Sequence, residues 1–392
     1  MPFAQAVPNK PVIDPVFCAR FKGKKCTTCE KFCEPVAIDF GQQDRVETIT
    51  VGAIVLATGF QPLDARRIPQ LGYGRLPEVY SALEFERLNN AAGPTQGTIV
   101  TRDGRTPQTI AILHCTGSRD DNYNKYCSRV CCMYSLKYAH LIKEKLHDAT
   151  VFNFYIDMRC FGKGYEEFYD RLQHEGVRFV RGKAAQLFGG AEYKVIAGSR
   201  NAIDGLNDNQ IVVQAEDTLL GRLFRVPVDM VVLTPSIEPH ADADEVGRKF
   251  LVSRGADGFF LEQHPKLAPV STTTDGVFIA GACQGPKDIP DSVAQGSAAA
   301  GKALSLITRG EIEVEGATAW INGDSCSGCR MCNELCPYTA ITYDAEQRRS
   351  SINDVLCKGC GTCVAACPSS AIVARHFTDQ QIFAEIEGML SL

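Results

Sequence analysis

Apolar and polar positions alternate in an ordered way through the middle of this 392-residue chain. Between about residues 107 and 234, apolar runs of strand length alternate with longer segments in which apolar residues recur at helical spacing. The resulting order of strand, helix, strand, helix and strand predicts a right-handed parallel sheet. The predicted strands are 109–114, 150–157, 177–180 and 229–234, and the predicted helices are 128–146 and 165–174.

Shorter strands interrupt and precede this unit. Residues 183–229 alternate apolar and polar side chains, which predicts antiparallel strands attached to the parallel sheet. The apolar run 48–59 predicts a buried strand that ends in Ala57, Thr58 and Gly59, where a small residue lets the backbone approach a ligand. Such an ending recurs in flavoproteins that have two dinucleotide-binding domains.

A third segment is typical of the carboxy-terminal element of a flavin-binding domain. A strand ending at Gly281 leads through an acidic turn into a helix of small residues that extends to about residue 308. The amino terminus of this helix offers free N–H groups to an electron-rich ligand edge. Lys287 would place a positive charge beside a reduced flavin, or else it is a solvated loop lysine. The candidate flavin-contacting residues are Ala57, Thr58, Gly59, Gly281, Lys287, Asp288, Ser292 and Gln295.

Composition and charge narrow the class of protein. Hydrophobic residues make up 45% and charged residues 22% of the chain, as in ordinary globular proteins. No apolar run approaches the roughly 20 residues of a membrane helix, and the first residues lack the apolar core of a signal peptide, so we expect a cytoplasmic protein. The net charge of -5, without runs of basic residues, indicates neither nucleic acid nor anionic lipid as a partner.

The 18 cysteines are the unusual feature of the composition. Two matching runs near the carboxy terminus have the spacing Cys-x2-Cys-x2-Cys-x3-Cys-Pro, which is typical of ferredoxins with two 4Fe-4S clusters. Because the fourth cysteine of each run ligates the other cluster, we expect one set of ligands to be Cys326, Cys329, Cys332 and Cys367 and the other to be Cys357, Cys360, Cys363 and Cys336. A zinc site, the alternative, would use one set of four cysteines without the repeated Cys-Pro.

A shorter cysteine pattern near the amino terminus predicts half a ferredoxin. Its candidate ligands are Cys18, Cys26, Cys29 and Cys33, and a strand-like run follows at 37–40. Either all four cysteines bind one cluster, or Cys33 ligates a second cluster whose other ligands lie on another chain. Zinc remains an alternative at this segment.

A third group of cysteines lies inside the predicted parallel unit. In a dinucleotide-binding fold, the turn after the first strand carries Gly-x-Gly-x-x-Gly so that a pyrophosphate rests on the following helix. Here that turn and helix start carry Cys115, Cys127, Cys131 and Cys132 instead. We predict a cluster where a nicotinamide nucleotide would otherwise bind, with buried free thiols as the alternative.

The remaining candidates have structural interpretations. Asp157 ends a predicted strand where some dinucleotide folds place a ribose-binding acid, but without the glycine turn a structural role is expected. Cys160 and Cys283 lack spaced partners and are interpreted as packed thiols. None of the seven histidines falls in a catalytic constellation, so the catalytic residues stay unassigned.

These motifs together resemble the A-type subunit of heterodisulfide reductase, a flavin and iron-sulfur protein of anaerobes. The resemblance rests on the ferredoxin cysteines and on PFAQAVPN at 2–9, CTGSRD at 115–120, YCSRVCCMY at 126–134, FGKGYEEFY at 161–169 and QGPKDIPDSVAQ at 284–295. It implies an α/β, thioredoxin-reductase-like (Rossmann-type) flavin domain, FAD, and four 4Fe-4S clusters. We assign residues 1–46 to the half-ferredoxin, 47–312 to the flavin domain with the inserted unit at about 107–234, 313–376 to the α+β ferredoxin domain and 377–392 to a terminal helix.

The resemblance also implies a function, that of an electron-transfer subunit of an oxidoreductase complex. Electrons would pass between FAD and other subunits, in some complexes by flavin-based bifurcation, and activity is expected only in the complex. The implied partners are B- and C-like subunits and a hydrogenase- or dehydrogenase-type donor. The alternative function is a flavin-free iron-sulfur scaffold that docks partner subunits and passes electrons between them. A free-standing NAD(P)H-dependent reductase is a third function, and the cysteines at the expected nucleotide-binding turn argue against it.

The sequence departs from the family at one end. Family members begin with a further cluster-bearing region and a βαβ unit whose Gly-x-Gly-x-x-Gly binds the ADP part of FAD, and the present sequence contains neither. We therefore expect a split site, in which another polypeptide supplies the first FAD-binding half and the missing half of the ferredoxin.

Overall fold

The computed structural model describes residues 12–43, 45–199, 201–311 and 316–391, so the motif at 2–9 lies outside the described residues. The α-helices are α1 (Thr28–Lys31), α2 (Ala82–Asn89), α3 (Cys131–Lys145), α4 (Tyr165–His174), α5 (Gly190–Ala197), α6 (Ala243–Phe250), α7 (Ile289–Arg309), α8 (Met331–Leu335), α9 (Thr362–Ala366) and α10 (Asp379–Leu390).

The strands are β1 (Ile54–Leu56), β2 (Phe60–Pro62), β3 (Val79–Ser81), β4 (Thr109–Thr116), β5 (Thr150–Tyr155), β6 (Arg178–Arg181), β7 (Ala184–Gly189), β8 (Ile211–Asp217), β9 (Arg222–Val228), β10 (Met230–Pro235), β11 (Ile237–Pro239), β12 (Val277–Ile279), β13 (Ala319–Ile321), β14 (Ile341–Asp344), β15 (Arg349–Ile352) and β16 (Ile372–Ala374).

A five-stranded parallel sheet forms the centre of the chain, in the order β3-β10-β4-β5-β6. Both of its faces are covered, as parallel sheets require. On β4, Ile110 and Ile112 pack towards α3 and α4, while the alternate residues Ala111 and Leu113 pack towards the antiparallel sheet β7-β8-β9. The predicted Rossmann-type core and its antiparallel attachment are confirmed.

Several predicted elements differ in extent. Helix α4 has the predicted bounds, and α3 begins three residues later than expected, at Cys131. The predicted strand at 48–59 is reduced to β1, and the run at 37–40 does not form a strand in the described residues. The corresponding runs of the ferredoxin domain form β14 and β16 because each has a partner strand, β15 or β13.

The flavin-type segments form a much smaller layer. Strand β1 pairs in parallel with β12, and α7 packs on the pair through Ala299 and Leu306. Much of this layer is exposed, including the side chains of Val55 on β1 and of Val293 and Leu304 on α7. A parallel strand pair is normally buried on both faces, so this layer has uncovered apolar surface in the described residues.

The ferredoxin domain contacts the core through one of its cysteine runs. Lys358, which follows Cys357, forms an ion pair with Asp275 at 2.7 Å, and both side chains are partly exposed. Ser253 also donates a hydrogen bond to the carbonyl of Pro337 at 3.4 Å. Every residue of α10 is at least partly exposed. Among the described helices, none has the length and apolarity needed to cross a membrane.

The packing of the central sheet gives a first prediction. Phe154 on β5 is 1% exposed and contacts the rings of Phe152 and Phe224. We expect Phe154→Ala to destabilise the core by about 3–5 kcal/mol because it leaves a cavity. Phe383→Ala, on an α10 side chain that is 64% exposed, is the control and should change stability by less than about 0.5 kcal/mol. Urea unfolding followed by circular dichroism measures both, and equal effects would contradict the described core.

Candidate functional site

Three buried cysteine side chains meet at the carboxyl end of β4. Cys115 lies in that strand with a left-handed backbone (φ 54°), which turns its side chain out of the regular sheet pattern. Cys131 and Cys132 are the first residues of α3, and the Cys131 side chain hydrogen-bonds with both Cys115 and Cys132. The three sulfur atoms therefore form one contiguous group.

A tight loop leads from Cys115 to Cys127, the fourth predicted ligand, and Arg119 lies near the charges of both cysteines. Asn124 N–H donates to the carbonyl of Gly117 at 3.1 Å, and Arg119 N–H donates to the carbonyl of Tyr126 at 2.9 Å. Gly117 has φ 73°, and a Cβ there would approach Leu63 to 2.6 Å, so the turn requires glycine. Cys127 follows this loop, and its sulfur accepts the backbone N–H of Arg129 at 3.3 Å.

The site favours negative charge on the sulfurs of Cys115 and Cys132, whereas hydrogen bonds with these two cysteines and burial raise the pKa of Cys131. The hydrogen bond from Cys131 lowers the pKa of Cys132, and a second hydrogen bond from Cys131 lowers the pKa of Cys115. The start of a 15-residue helix adds a favourable dipole. Burial lowers the pKa of His114, but its contacts with Cys132 and Asn153 outweigh burial and raise that pKa.

Several buried polar atoms without hydrogen-bond partners lie on β4, β5, α3 and the loop after β4. They are His114 Nδ1, Ser118 Oγ, Arg119 Nη1, Ser135 Oγ and Asn153 Nδ2. Buried polar groups of this kind are costly unless a partner satisfies them. No three or more His, Cys, Asp or Glu side chains in the described part of the chain are arranged to hold a single metal ion. Four cysteine sulfurs with unsatisfied donors fit a larger anionic group, such as a 4Fe-4S cluster, that accepts several hydrogen bonds.

Two residues with structural predictions lie beside this site. The Asp157 carboxylate pairs with Arg119 at 2.7 Å and with Arg181 at 3.6 Å, in agreement with a structural role. Cys160 is partly buried, and burial together with the nearby Cys132 raises its pKa to about 12. The Cys160 thiol is therefore protonated at neutral pH and packs as a neutral group.

The candidate flavin-contacting residues come from two loops at one edge of the β1–β12 pair. Gly59 follows β1 with φ 75° and has open space where a Cβ would lie, and Gly281 follows β12 with φ 76°. Gly281 N–H donates to the Gln295 side chain at 2.6 Å. Asp288 caps α7 by accepting the N–H of Asp291 at 2.8 Å. The two loops that carry Ala57, Thr58, Gly59, Gly281, Lys287, Asp288, Ser292 and Gln295 thus share one edge.

A cavity of about 730 Å³ separates this edge from the cysteine site. Lys287, Ser292 and Val293 line one side of it, and Val130 and Met133, which flank the paired cysteines of α3, line the other. Burial lowers the pKa of Lys287, so its ammonium group is partly desolvated, unlike that of a solvated loop lysine. The cavity is large enough for a flavin ring system.

An ion pair that the sequence did not predict joins the two sides. Arg129, between Cys127 and Cys131, donates to the carboxylate of Asp291 at 2.8 Å. The two residues are 162 positions apart, so spacing alone gives no indication of the contact. Cys283 is buried and its thiol donates to the carbonyl of Leu56 at 3.3 Å, as expected for a packed thiol.

The ferredoxin domain brings its cysteines together in the two predicted sets. The side chains that line one small pocket include Cys326, Cys329, Cys332 and Cys367. Burial is the main cause that raises the pKa of Cys363 to about 11, and the nearby charges of Cys357, Cys360 and Cys336 add to it. The fourth cysteine of each run therefore lies with the first three of the other run.

The amino-terminal segment repeats the turn that follows the last cysteine of each run. In all three copies the residue three positions after that cysteine has a positive φ, as seen for Val36, Thr339 and Ser370. The alanine that follows this positive-φ residue donates its backbone N–H to the cysteine sulfur at 3.3–3.4 Å in each copy. The pairs are Ala37 to Cys33, Ala340 to Cys336 and Ala371 to Cys367. The half-ferredoxin pattern at Cys18, Cys26, Cys29 and Cys33 thus has ferredoxin-like local geometry at Cys33.

Burial differs between these copies. Ala340 and Ala371 are each 1% exposed, whereas the equivalent Ala37 is exposed. Cys29 is also exposed, whereas its equivalents Cys332 and Cys363 are buried. The surface that the two ferredoxin halves bury against each other is therefore open in the described amino-terminal segment.

Comparisons with known proteins agree with this description. The 4Fe-4S dicluster domain family matches residues 318–376. A solved thioredoxin reductase of T. acidophilum resembles 64% of the chain, with 12% identity, a TM-score of 0.41 and 65% of its own length covered. The thioredoxin reductase of Lactococcus lactis resembles 66% of the chain, with 16% identity, a TM-score of 0.40 and 66% of its own length covered. The dicluster domain defines the class of the protein as a 4Fe-4S iron-sulfur protein.

Curated relatives place the sequence in a family. The chain is 44% identical over its whole length to the A-type subunit of "H(2):CoB-CoM heterodisulfide,ferredoxin reductase" from Methanothermobacter thermautotrophicus, of which it spans 56%. It is 42% identical to the A-type iron-sulfur subunit of "CoB--CoM heterodisulfide reductase" from Methanocaldococcus jannaschii, again over its whole length and 57% of the relative. The chain belongs to the family of heterodisulfide reductase A-type subunits and spans about half the length of the curated relatives it matches.

The cysteine site gives the second prediction. If Cys131 and Cys132 are ligands, Cys131→Ser and Cys132→Ser should each lower the iron content by up to one cluster or leave a 3Fe form, with the ferredoxin signals intact. Cys160→Ser is the matched control because Cys160 lies beside Cys132 without belonging to the predicted ligand set. Iron analysis and electron paramagnetic resonance (EPR) of anaerobically purified protein measure this, and unchanged iron in all three variants would refute the ligand assignment.

Proposed function

We propose that this chain is the electron-transfer part of an A-type subunit in a heterodisulfide-reductase-like complex. In this role, 4Fe-4S clusters relay electrons to or from FAD and partner subunits. The observation that carries the proposal is the cavity between Lys287 and the start of α3, which has flavin-type loops on one side and the buried cysteine site on the other.

Four clusters are proposed, one for each set of cysteines. The ligands of the cluster beside the cavity are Cys115, Cys127, Cys131 and Cys132. The sets Cys326, Cys329, Cys332, Cys367 and Cys357, Cys360, Cys363, Cys336 bind the two ferredoxin clusters, and Cys18, Cys26, Cys29 and Cys33 belong to the amino-terminal one. The protein adjusts these groups through ligation, burial and hydrogen bonds to sulfur, such as that from Ala340 to Cys336.

FAD is the proposed occupant of the cavity edge. When bound, a flavin supplies the exchange between two-electron and one-electron chemistry. The residues of this chain would orient it: the backbone at Gly59 and Gly281 allows close approach, α7 directs its amino terminus at the ring, and Lys287 offers a positive charge. Arg129 and Asp291 fix the position of α7 relative to the cysteine site.

The rest of the FAD site lies outside the described residues. The β1–β12 pair has uncovered apolar surface at Val55 and along α7, and Ala37 and Cys29 are similarly open. We propose that another chain, or further residues of the same polypeptide, completes both the FAD-binding half and the amino-terminal ferredoxin, with Cys33 ligating across that junction. B- and C-like subunits and a hydrogenase- or dehydrogenase-type donor are the other proposed partners, and flavin-based bifurcation is a proposed use of the junction.

A flavin-free relay is the second candidate function. It is favoured by the same uncovered surface, because a layer of only two parallel strands offers FAD few contacts in the described residues. In that case the chain would pass single electrons between partner subunits without a two-electron step. Flavin absorbance in the intact complex separates the two functions.

The third prediction concerns flavin binding. We expect the complex purified anaerobically to contain FAD in a one-to-one ratio to this chain and the chain alone to retain little of it. A stoichiometric, tightly bound FAD in the isolated chain would contradict the shared site. Its absence from both samples, with the clusters present, would favour the flavin-free relay.

The fourth prediction tests the contribution of Lys287. In the complex, Lys287→Met should lower the midpoint potential of the flavin because it removes a positive charge that favours the anionic reduced ring. Lys302→Met removes the same charge from an exposed position farther along α7 and is the control. Spectroelectrochemical titration measures both potentials, and equal values for the two variants would place Lys287 away from the flavin.

A further inference from the structure

The inference rests on the proposed cluster at the carboxyl end of β4 and concerns one residue of its loop, Arg119. This residue has a left-handed backbone (φ 52°). The Arg119 side chain is 22% exposed, and its guanidinium donates through Nη2 to Asp157 at 2.7 Å. Its other terminal nitrogen, Nη1, is buried and has no partner among the described residues.

Besides Asp157, the charged groups that act on this guanidinium are the sulfurs of Cys115 and Cys127. Burial lowers the pKa of Arg119, but the hydrogen bond and charge of Asp157, together with the charges of Cys115 and Cys127, outweigh burial and raise that pKa. The guanidinium therefore remains charged at every physiological pH. The backbone N–H of Arg119 also donates to the carbonyl of Tyr126, the residue before Cys127. Arg119 is therefore fixed between the segments that carry Cys115 and Cys127.

Neighbouring cations do not share this arrangement. Arg129 directs its guanidinium at Asp291, and Lys183 directs its ammonium group at Asp120. Arg181 contacts the same carboxylate as Arg119, but at 3.6 Å and with 45% of its side chain exposed. Within the described ranges, Arg119 is the cation with a buried donor left free beside the cysteines.

We propose that Arg119, held by Asp157, donates its Nη1–H to the anionic sulfur of the cluster bound by Cys115, Cys127, Cys131 and Cys132 and thereby raises the reduction potential of that cluster. Reduction adds one electron, supplied by the reduced flavin or by a neighbouring cluster, and the site gains one negative charge. A fixed cation stabilises this more negative state more than the oxidised one. No proton is taken up by Arg119, because its guanidinium is charged in both states.

The experiment compares three variants in the chain purified anaerobically with its clusters and co-purifying subunits. In a dithionite titration monitored by EPR, Arg119→Met should lower the ratio of reduced to oxidised cluster at least tenfold at a fixed potential, a shift of about 59 mV for one electron. Arg119→Lys keeps the charge but not the planar fork, so it should fall between Arg119→Met and the native chain. Arg181→Met removes a charge from the same carboxylate and should change the ratio less than twofold.

A second measurement reports on contact rather than potential. Native protein grown with arginine labelled with ¹⁵N only in its guanidinium should show ¹⁵N hyperfine coupling to the reduced cluster in pulsed EPR. The same label in Arg119→Lys should lack that coupling. This pair decides the question even when Arg119→Met does not retain the cluster.

The outcomes separate the inference from the proposed function. Native protein without a cluster signal from the site of Cys115 to Cys132 would contradict the proposed function itself. A native cluster that lacks guanidinium coupling would overturn the inference, and so would equal ratios in Arg119→Met and Arg181→Met. A tenfold shift confined to the Arg119 variants, with guanidinium coupling in the native protein, would support it.

Discussion

Buried cysteine sulfurs meet at the carboxyl end of strand β4, and their mutual contacts favour negative charge on Cys115 and Cys132. Cys115 leaves the strand pattern through a left-handed backbone, and a glycine-dependent turn at Gly117 returns the chain to Cys127. The start of α3 supplies two more sulfurs together with the positive end of its dipole. Buried polar atoms that lack partners, on His114 and Arg119 among others, lie on the same segments. Such a set of donors is costly by itself and becomes favourable only around an anionic group.

The loop of the cysteine site also contacts the flavin-type layer. The loop that carries Cys127 also carries Arg129, whose ion pair with Asp291 reaches the first turn of α7. An exposed ion pair adds little stability, about 0–1 kcal/mol. Its role here is to hold the first turn of α7 beside the loop that carries Cys127. The pair joins the two segments that line the cavity, the start of α3 and the start of α7 with Lys287. At the other end of the chain, Lys358 and Asp275 hold one cysteine run of the ferredoxin domain against the core.

Much of this architecture was predictable because the relevant signals are local. Helical spacing predicted α4 with its observed bounds, and the two carboxy-terminal cysteine runs predicted the ferredoxin domain that the family match also identifies. The strand predicted at 37–40 was wrong in the described residues because a strand also requires a partner, which a local pattern does not specify. Strand β3 and helix α5 were missed, since their apolar runs are short and depend on packing. The pairs Arg119–Asp157 and Arg129–Asp291 join distant segments, so no spacing rule indicates them.

The central claim is that the cysteines beside the cavity hold a cluster within electron-transfer contact of a flavin. An experimental structure of the intact complex, prepared without oxygen, tests it most directly. The account predicts a 4Fe-4S cluster bound by Cys115, Cys127, Cys131 and Cys132, with a flavin ring in the cavity beside Lys287. A zinc ion or free thiols at these cysteines, or a nicotinamide nucleotide in their place, would contradict it.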